Sequence, residues 1–235
     1  MINFKETNKD NKLKLVNLFK ILDKLKINDL TANHASIMSV NNNGYFINMH
    51  SHLFSQVTTR NLVYVSLKDD YSKKYLKVNK AGFYIHKYLH NSKSNPKAIL
   101  HTHSVNSVAI SSLKEGFNEK LNQSSMRFFK RIVYENYDGM VMNDKIAKKL
   151  ANKLNKNTKI IILKNHGSII MGKTIEELFH LTFHFEKCCE IQLKTRSKKI
   201  NTVSDRIAQL TCNQHESFGR VGEMSWNASL RMLKK

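Results

Sequence analysis

Residues 97–104, KAILHTHS, decide how the chain is read. An apolar run from Ala98 to Leu100 follows the Asn95-Pro96 breaker and leads directly into two histidines two positions apart. A short apolar run bounded by a turn signal reads as a buried strand. Side chains at i and i+2 of a strand share a face, so His101 and His103 can aim both imidazoles at one point. A second apolar run, KIIILKNHG at residues 159–167, ends at His166 with Gly167 behind it. Glycine there lets the backbone turn tightly. Three imidazoles on two strand ends, with one coordination position left open, would suit a catalytic divalent metal. The chain has 11 histidines, so the same spacing also suits core or surface histidines. Spacing alone leaves both readings open.

Outward from these strands, helical and extended patterns alternate. Residues 12–27 place Leu13, Val16, Leu18, Phe19, Leu22 and Leu25 at helical spacing. The segments SIMSV, YFINM and NLVYVSL have β character, and Asn41 to Gly44 between the first two predict a hairpin turn. Asn79 caps a helix over 78–91, a short helix follows the histidines from Ser104 to Leu113, and 143–155 form a third helical stretch. Thr174 with Glu177 predicts a capping box opening a long helix toward Arg196. Two short helices are expected in the tail. The pattern predicts one α/β domain with three layers around a mixed sheet. Its organisation is expected as an N-terminal amphipathic helix (1–28), a main domain (29–200) and a helical tail (201–235).

The totals bound what the protein does. A chain of 235 residues, 41% hydrophobic, can bury a full core. No run of roughly 18 apolar residues predicts a membrane span, and the start, MINFKETNKDNKLKLV, does not resemble a secretory signal. Cys188 and Cys189 are adjacent and Cys212 stands alone, a pattern that is no disulfide framework. A cytoplasmic protein is expected. The net charge of +21 is spread along the whole chain without a nucleic-acid-binding motif, so weak attraction of anions is expected but no specific nucleic acid.

The blocks VNKAGFYIHKYLHNSKSNPKAILHTHS, YENYDGM and IIILKNHGSIIMGKTIEELFHLTFHFEKCCEIQLKT resemble the class II aldolase/adducin family, closest to its adducin-like branch. The likeness runs from about Asn33 to Lys194. It implies an α/β/α fold around a mixed, mainly antiparallel sheet. It also implies a divalent metal, zinc in most aldolase members, held by residues matching His101, His103 and His166. A metal so held acts as a Lewis acid on a small carbonyl or sugar-like substrate. Homo-oligomers, tetramers above all, are implied as well.

Two departures stand against simple aldolase activity. The family's proton-transferring glutamate falls, by counting back from His101, at Gly82. Glycine has no side chain to move a proton, and no other catalytic residue is identified. The phosphate-binding turns are replaced by NHAS, NMHSH and NKAG, where Asn33, His34, Ser36 and Ser51 are the available hydrogen-bonding groups and the candidate substrate-binding set is Asn33, His34 and Ser51. The alternative implied by the adducins is a non-catalytic oligomeric scaffold. Of the other residues, His50 and His52 are expected in a polar turn, and His86 and His90 in packing or capping. Tyr134, Tyr137 and Asp138 belong to a strand and turn, Cys188 and Cys189 to the core, and Trp226 anchors the tail.

Overall fold

The computed structural model describes residues 6–234. Helix α1 (Asn8–Lys24) opens on Thr7, whose hydroxyl accepts from Asp10 N while the Asp10 carboxylate accepts from Thr7 N. Both groups would otherwise be unpaired backbone donors at the helix start. Its apolar stripe, Leu15, Leu18, Phe19 and Leu22, is fully buried. Lys26, at φ 58°, turns the chain away from the helix end.

Seven strands form one sheet: β1 (His34–Met38), β2 (Gly44–Asn48), β3 (Leu62–Ser66), β4 (Ala98–Thr102), β5 (Ile132–Glu135), β6 (Ile160–Leu163) and β7 (Gly167–Gly172). Their spatial order is β3-β2-β1-β4-β7-β6-β5. Every neighbouring pair is antiparallel except β5 with β6. The β1–β2 hairpin turns through Asn42 at φ 58°, a conformation asparagine tolerates better than most residues.

Helices α2 (Lys80–His90) and α4 (Asp144–Asn152) cover one face. Helices α1, α3 (Val105–Ser111) and α5 (Ile175–Thr195) cover the other, with α6 (Asp205–Ser217) and α7 (Glu223–Leu230) from the tail. Strand alternation sorts the side chains between them. Ala98 and Leu100 enter the larger core under α1, α3 and α5, whereas Ile99 packs with Ile85, Leu89 and Leu150 on the opposite side. This is the three-layer α/β fold with a mixed sheet. Cys188 and Cys189 are fully buried, and Trp226 packs on Phe179 with ring centroids 5.8 Å apart.

Local geometry departs from expectation in two places. Thr174 caps α5 by accepting from Glu177 N at 3.1 Å, but the box does not close back on Thr174. The Glu177 carboxylate takes Lys173 N and the ammonium of Lys159 instead, because a buried charge is stabilised best by a partner of opposite sign. Strand β6 ends at Leu163, so His166 is carried by the β6–β7 turn rather than by a strand end.

Candidate metal centre

Strand β4 carries His101 and leaves the sheet at Thr102, and His103 follows on the same side. Asn165 at φ 58° and Gly167 at φ 155° shape the turn that presents His166. A Cβ at position 167 would stand 2.6 Å from the Thr102 carbonyl oxygen and 3.1 Å from Cδ2 of His103. Only glycine lets this turn lie against the end of β4. The three imidazoles therefore meet. Nε2 of His103 lies 2.8 Å from Nε2 of His101 and 3.0 Å from Nε2 of His166.

The outer nitrogens explain the orientation. Nδ1 of His101 donates to the Ser168 carbonyl at 3.0 Å, and Nδ1 of His103 donates to the Asp29 carboxylate at 3.1 Å. Both rings then keep their lone pairs on Nε2, facing each other. Two lone pairs at that separation repel unless a cation lies between them. Nitrogen ligands around one tetrahedral zinc stand about 3.3 Å apart, given zinc–nitrogen bonds of roughly 2.0–2.1 Å. A small outward movement of the rings would meet that spacing, so the donor set fits a divalent ion. The acceptors behind the rings are of the kind that orient metal-bound histidines. Burial holds His101 well below the ordinary imidazole range and brings His166 down to about 4, with the neighbouring imidazoles adding to both shifts.

The triad stands in the wall of a cavity of about 830 Å³, within the size range of small-molecule sites. His34, Ala81, Glu135, Tyr137, Asp138, Lys145 and Lys149 line it as well. Tyr137 meets His166 edge-on at 6.0 Å between ring centroids. Glu135 is held by Lys153, and Asp138 pairs with Lys149 at 3.6 Å. Tyr134 is elsewhere, accepting from Phe117 N at 3.0 Å through its hydroxyl oxygen.

The candidate substrate-binding residues do not come together. His34 is on β1 directly across from His101, with ring centroids 4.9 Å apart, and it lines the cavity. Asn33 is buried outside the cavity wall, and neither atom of its side-chain amide has a hydrogen-bond partner among the described residues. Ser51 is in an exposed turn, bonded to His52 at 3.1 Å. His50 belongs to the same turn, against the Lys77 carbonyl. Position 82 does face the site. A Cβ at Gly82 would come within 3.1 Å of the His34 ring.

Two parts of the site escaped the sequence reading. Asp29 lies 74 residues from the histidine it orients, and an aspartate in a loop carries no signal of that distant partner. By sequence alone, His86 and His90 are packing or capping residues. In the structure they are fully buried and form, with Ser36 and His34, a continuous hydrogen-bonded chain behind the triad. Their spacing of four on a helix placed them on one face, but nothing local indicated what they face.

Comparison with known proteins agrees with this architecture. Residues 13–193 match the family described as Class II Aldolase and Adducin N-terminal domain, and the chain belongs to that family. Human gamma-adducin is 28% identical over 185 residues, which are 77% of this chain and 26% of gamma-adducin. The chain thus spans about a quarter of that relative. Among solved structures, an aldolase II superfamily protein from Pseudomonas syringae superposes with a TM-score of 0.84 at 24% identity, over 99% of this chain and 95% of the other. An L-fuculose 1-phosphate aldolase from Glaciozyma antarctica superposes with a TM-score of 0.78, also at 24% identity, over 95% and 89%.

Proposed function

We propose that the protein binds a divalent metal, zinc in the first place, through His101, His103 and His166, and performs aldehyde-lyase or related carbonyl chemistry on a small sugar-like molecule. The observation that carries this reading is the convergence of three Nε2 atoms, two of them, on His101 and His103, backed by outer nitrogens tied to the Ser168 carbonyl and to Asp29. Bound there, the ion would supply Lewis acidity toward a carbonyl oxygen. The chain's own part is to hold His101 and His103 in one tautomer, to bring His166 to them, to wall the cavity, and to offer polar groups at its edge. His34 and Tyr137 stand on that wall beside the ligands. Membership of a family that includes proteins named as aldolases supports the same reading.

Elemental analysis of the purified protein beside a His101→Ala variant tests it. About one equivalent of zinc in the first and its loss in the second is the expected result. Equal metal in both would overturn the site.

A second reading, a non-catalytic scaffold, is favoured by glycine at position 82 and by the relationship to gamma-adducin. A screen for aldol cleavage by the zinc-loaded protein separates the two. Turnover that vanishes with His101→Ala supports the enzyme, and metal without turnover supports the scaffold.

We further infer a cytoplasmic homo-oligomer, a tetramer by family resemblance. Phe218, 80% exposed, and Met224, 88% exposed, leave apolar surface on the tail that a neighbouring subunit would cover. The three buried thiols are free, as suits a reducing compartment. No helix among the described residues is long and apolar enough to cross a membrane. Sedimentation analysis gives the assembly state, and a monomer at micromolar concentration would refute it.

A further inference from the structure

The chain of buried histidines behind the metal centre has a direction. It starts at the Pro96 carbonyl, which can only accept, so Nδ1 of His90 donates to it at 2.9 Å. His90 is fully buried and titrates at about 4, so its ring is neutral and Nε2 keeps a lone pair. The Ser36 hydroxyl donates to that lone pair at 2.8 Å. Having spent its one proton, Ser36 Oγ accepts from Nδ1 of His86 at 2.5 Å. Nε2 of His86 is then the acceptor for Nδ1 of His34, 2.8 Å away. Each link fixes the next. The last member is His34, whose ring lines the cavity beside His101.

The ring of His34 also fills the space above position 82. A Cβ at Gly82 would stand 3.1 Å from Cγ, Cδ2 and Nε2 of His34, closer than ordinary carbon contacts. Glycine at 82 and the imidazole at 34 thus form one arrangement. The face of α2 that would hold a side chain holds this ring instead. Among the described residues no protein group bonds to Nε2 of His34.

We propose that His34 is a specificity-determining residue that presents an unprotonated Nε2 to the cavity, accepts a hydrogen bond from a substrate hydroxyl, and thereby selects a polyhydroxylated carbonyl compound over a phosphorylated one at this wall. A hydroxyl brings a proton to the lone pair. A phosphate ester, ionised at neutral pH, brings only acceptor oxygens, which repel it. This assignment rests on the proposed function for the presence of a substrate in the cavity. The tautomer of His34 does not depend on it.

Two measurements test the proposal. Long-range 15N–1H spectra of the zinc-loaded protein should show His34 with its proton on Nδ1 and a bare Nε2. A proton on Nε2 would overturn the assignment. In Ser36→Ala, which cuts the chain, His34 should become a mixture of tautomers, and an unchanged spectrum would also overturn it. Calorimetric titration of the zinc-loaded protein with dihydroxyacetone, hydroxyacetone and dihydroxyacetone phosphate reads the selection. Dihydroxyacetone should bind roughly two- to tenfold more tightly than hydroxyacetone, the range one net hydrogen bond provides, and the phosphate more weakly than dihydroxyacetone. His34→Phe should erase the difference between the first two. Tighter binding of the phosphate, or no binding of any of the three by zinc-loaded protein, would overturn the substrate assignment. Absence of zinc from the protein would instead refute the proposed function, and the spectra would still decide the His34 tautomer.

Discussion

Asp29 shows how much a single side chain away from the ligands contributes. Its carboxylate takes the Nδ1 proton of His103 at 3.1 Å and so points the Nε2 lone pair at the other two rings. Asp29→Asn keeps the shape but loses the charge, and carboxylates in this role contribute about 10- to 100-fold to metal affinity. Competition with a chromophoric chelator should show zinc binding weakened by about that factor. Unchanged affinity would mean that His103 is oriented by something else. Gly82 makes the opposite point, because what it lacks is structural. Gly82→Glu introduces a carboxylate at this position, yet the new side chain would drive into the His34 ring. It should lower stability by about 3 kcal/mol in urea unfolding, from overpacking and an unpaired buried charge, and should confer no new aldol cleavage. A stable, newly active Gly82→Glu protein would show that His34 can move aside.

At the scale of elements, each strand and helix sets a direction, and the site is where several directions meet. Strand β4 puts Ile99 and His101 on the α2 side, and β1 puts His34 and Ser36 on that side too. Helix α2 returns His86 and His90 to the same layer, one helical turn apart. Helix α1 belongs to the opposite layer but to the same core, since Leu15, Leu18, Phe19 and Leu22 pack in one cluster with Ala35, Leu100 and Phe179. Leu18→Ala should therefore cost about 3 kcal/mol and lower the midpoint of a single cooperative transition. A separate early transition would instead mark α1 as an independent appendage.

At the scale of the whole molecule, burying so many imidazoles makes stability depend on pH. An imidazole that titrates near 6.5 unfolded and at about 4 folded, as His90 does, binds fewer protons in the folded state between those values. Its contribution is whole above pH 6.5 and drains away as pH falls toward 4. For His90 alone this amounts to about 3 kcal/mol, at about 1.4 kcal/mol per pH unit of displacement. His34 and His86, pushed down chiefly by burial, act in the same sense. The urea midpoint of metal-free protein should fall steeply between pH 6.5 and 4.5 and stay level from 7 to 8. A midpoint that did not move below pH 6.5 would mean that water reaches these rings.

What could be read from the sequence was local. The alternation around His101 and His103, the cap at Asn79, and the turn at Asn41–Gly44 all follow from forces acting within a few residues, and all appear in the structure. The resemblance of three blocks extended this to the fold and to the meeting with His166. Neither periodicity nor resemblance indicated that Asp29 reaches His103, that Ser51 stays outside the cavity, or that a proline carbonyl sets the proton order of four buried groups. Periodicity determines which face a side chain occupies, because that depends on backbone geometry alone. Which distant group meets it on that face depends on how the layers close, and that was decided only when the whole sheet was assembled.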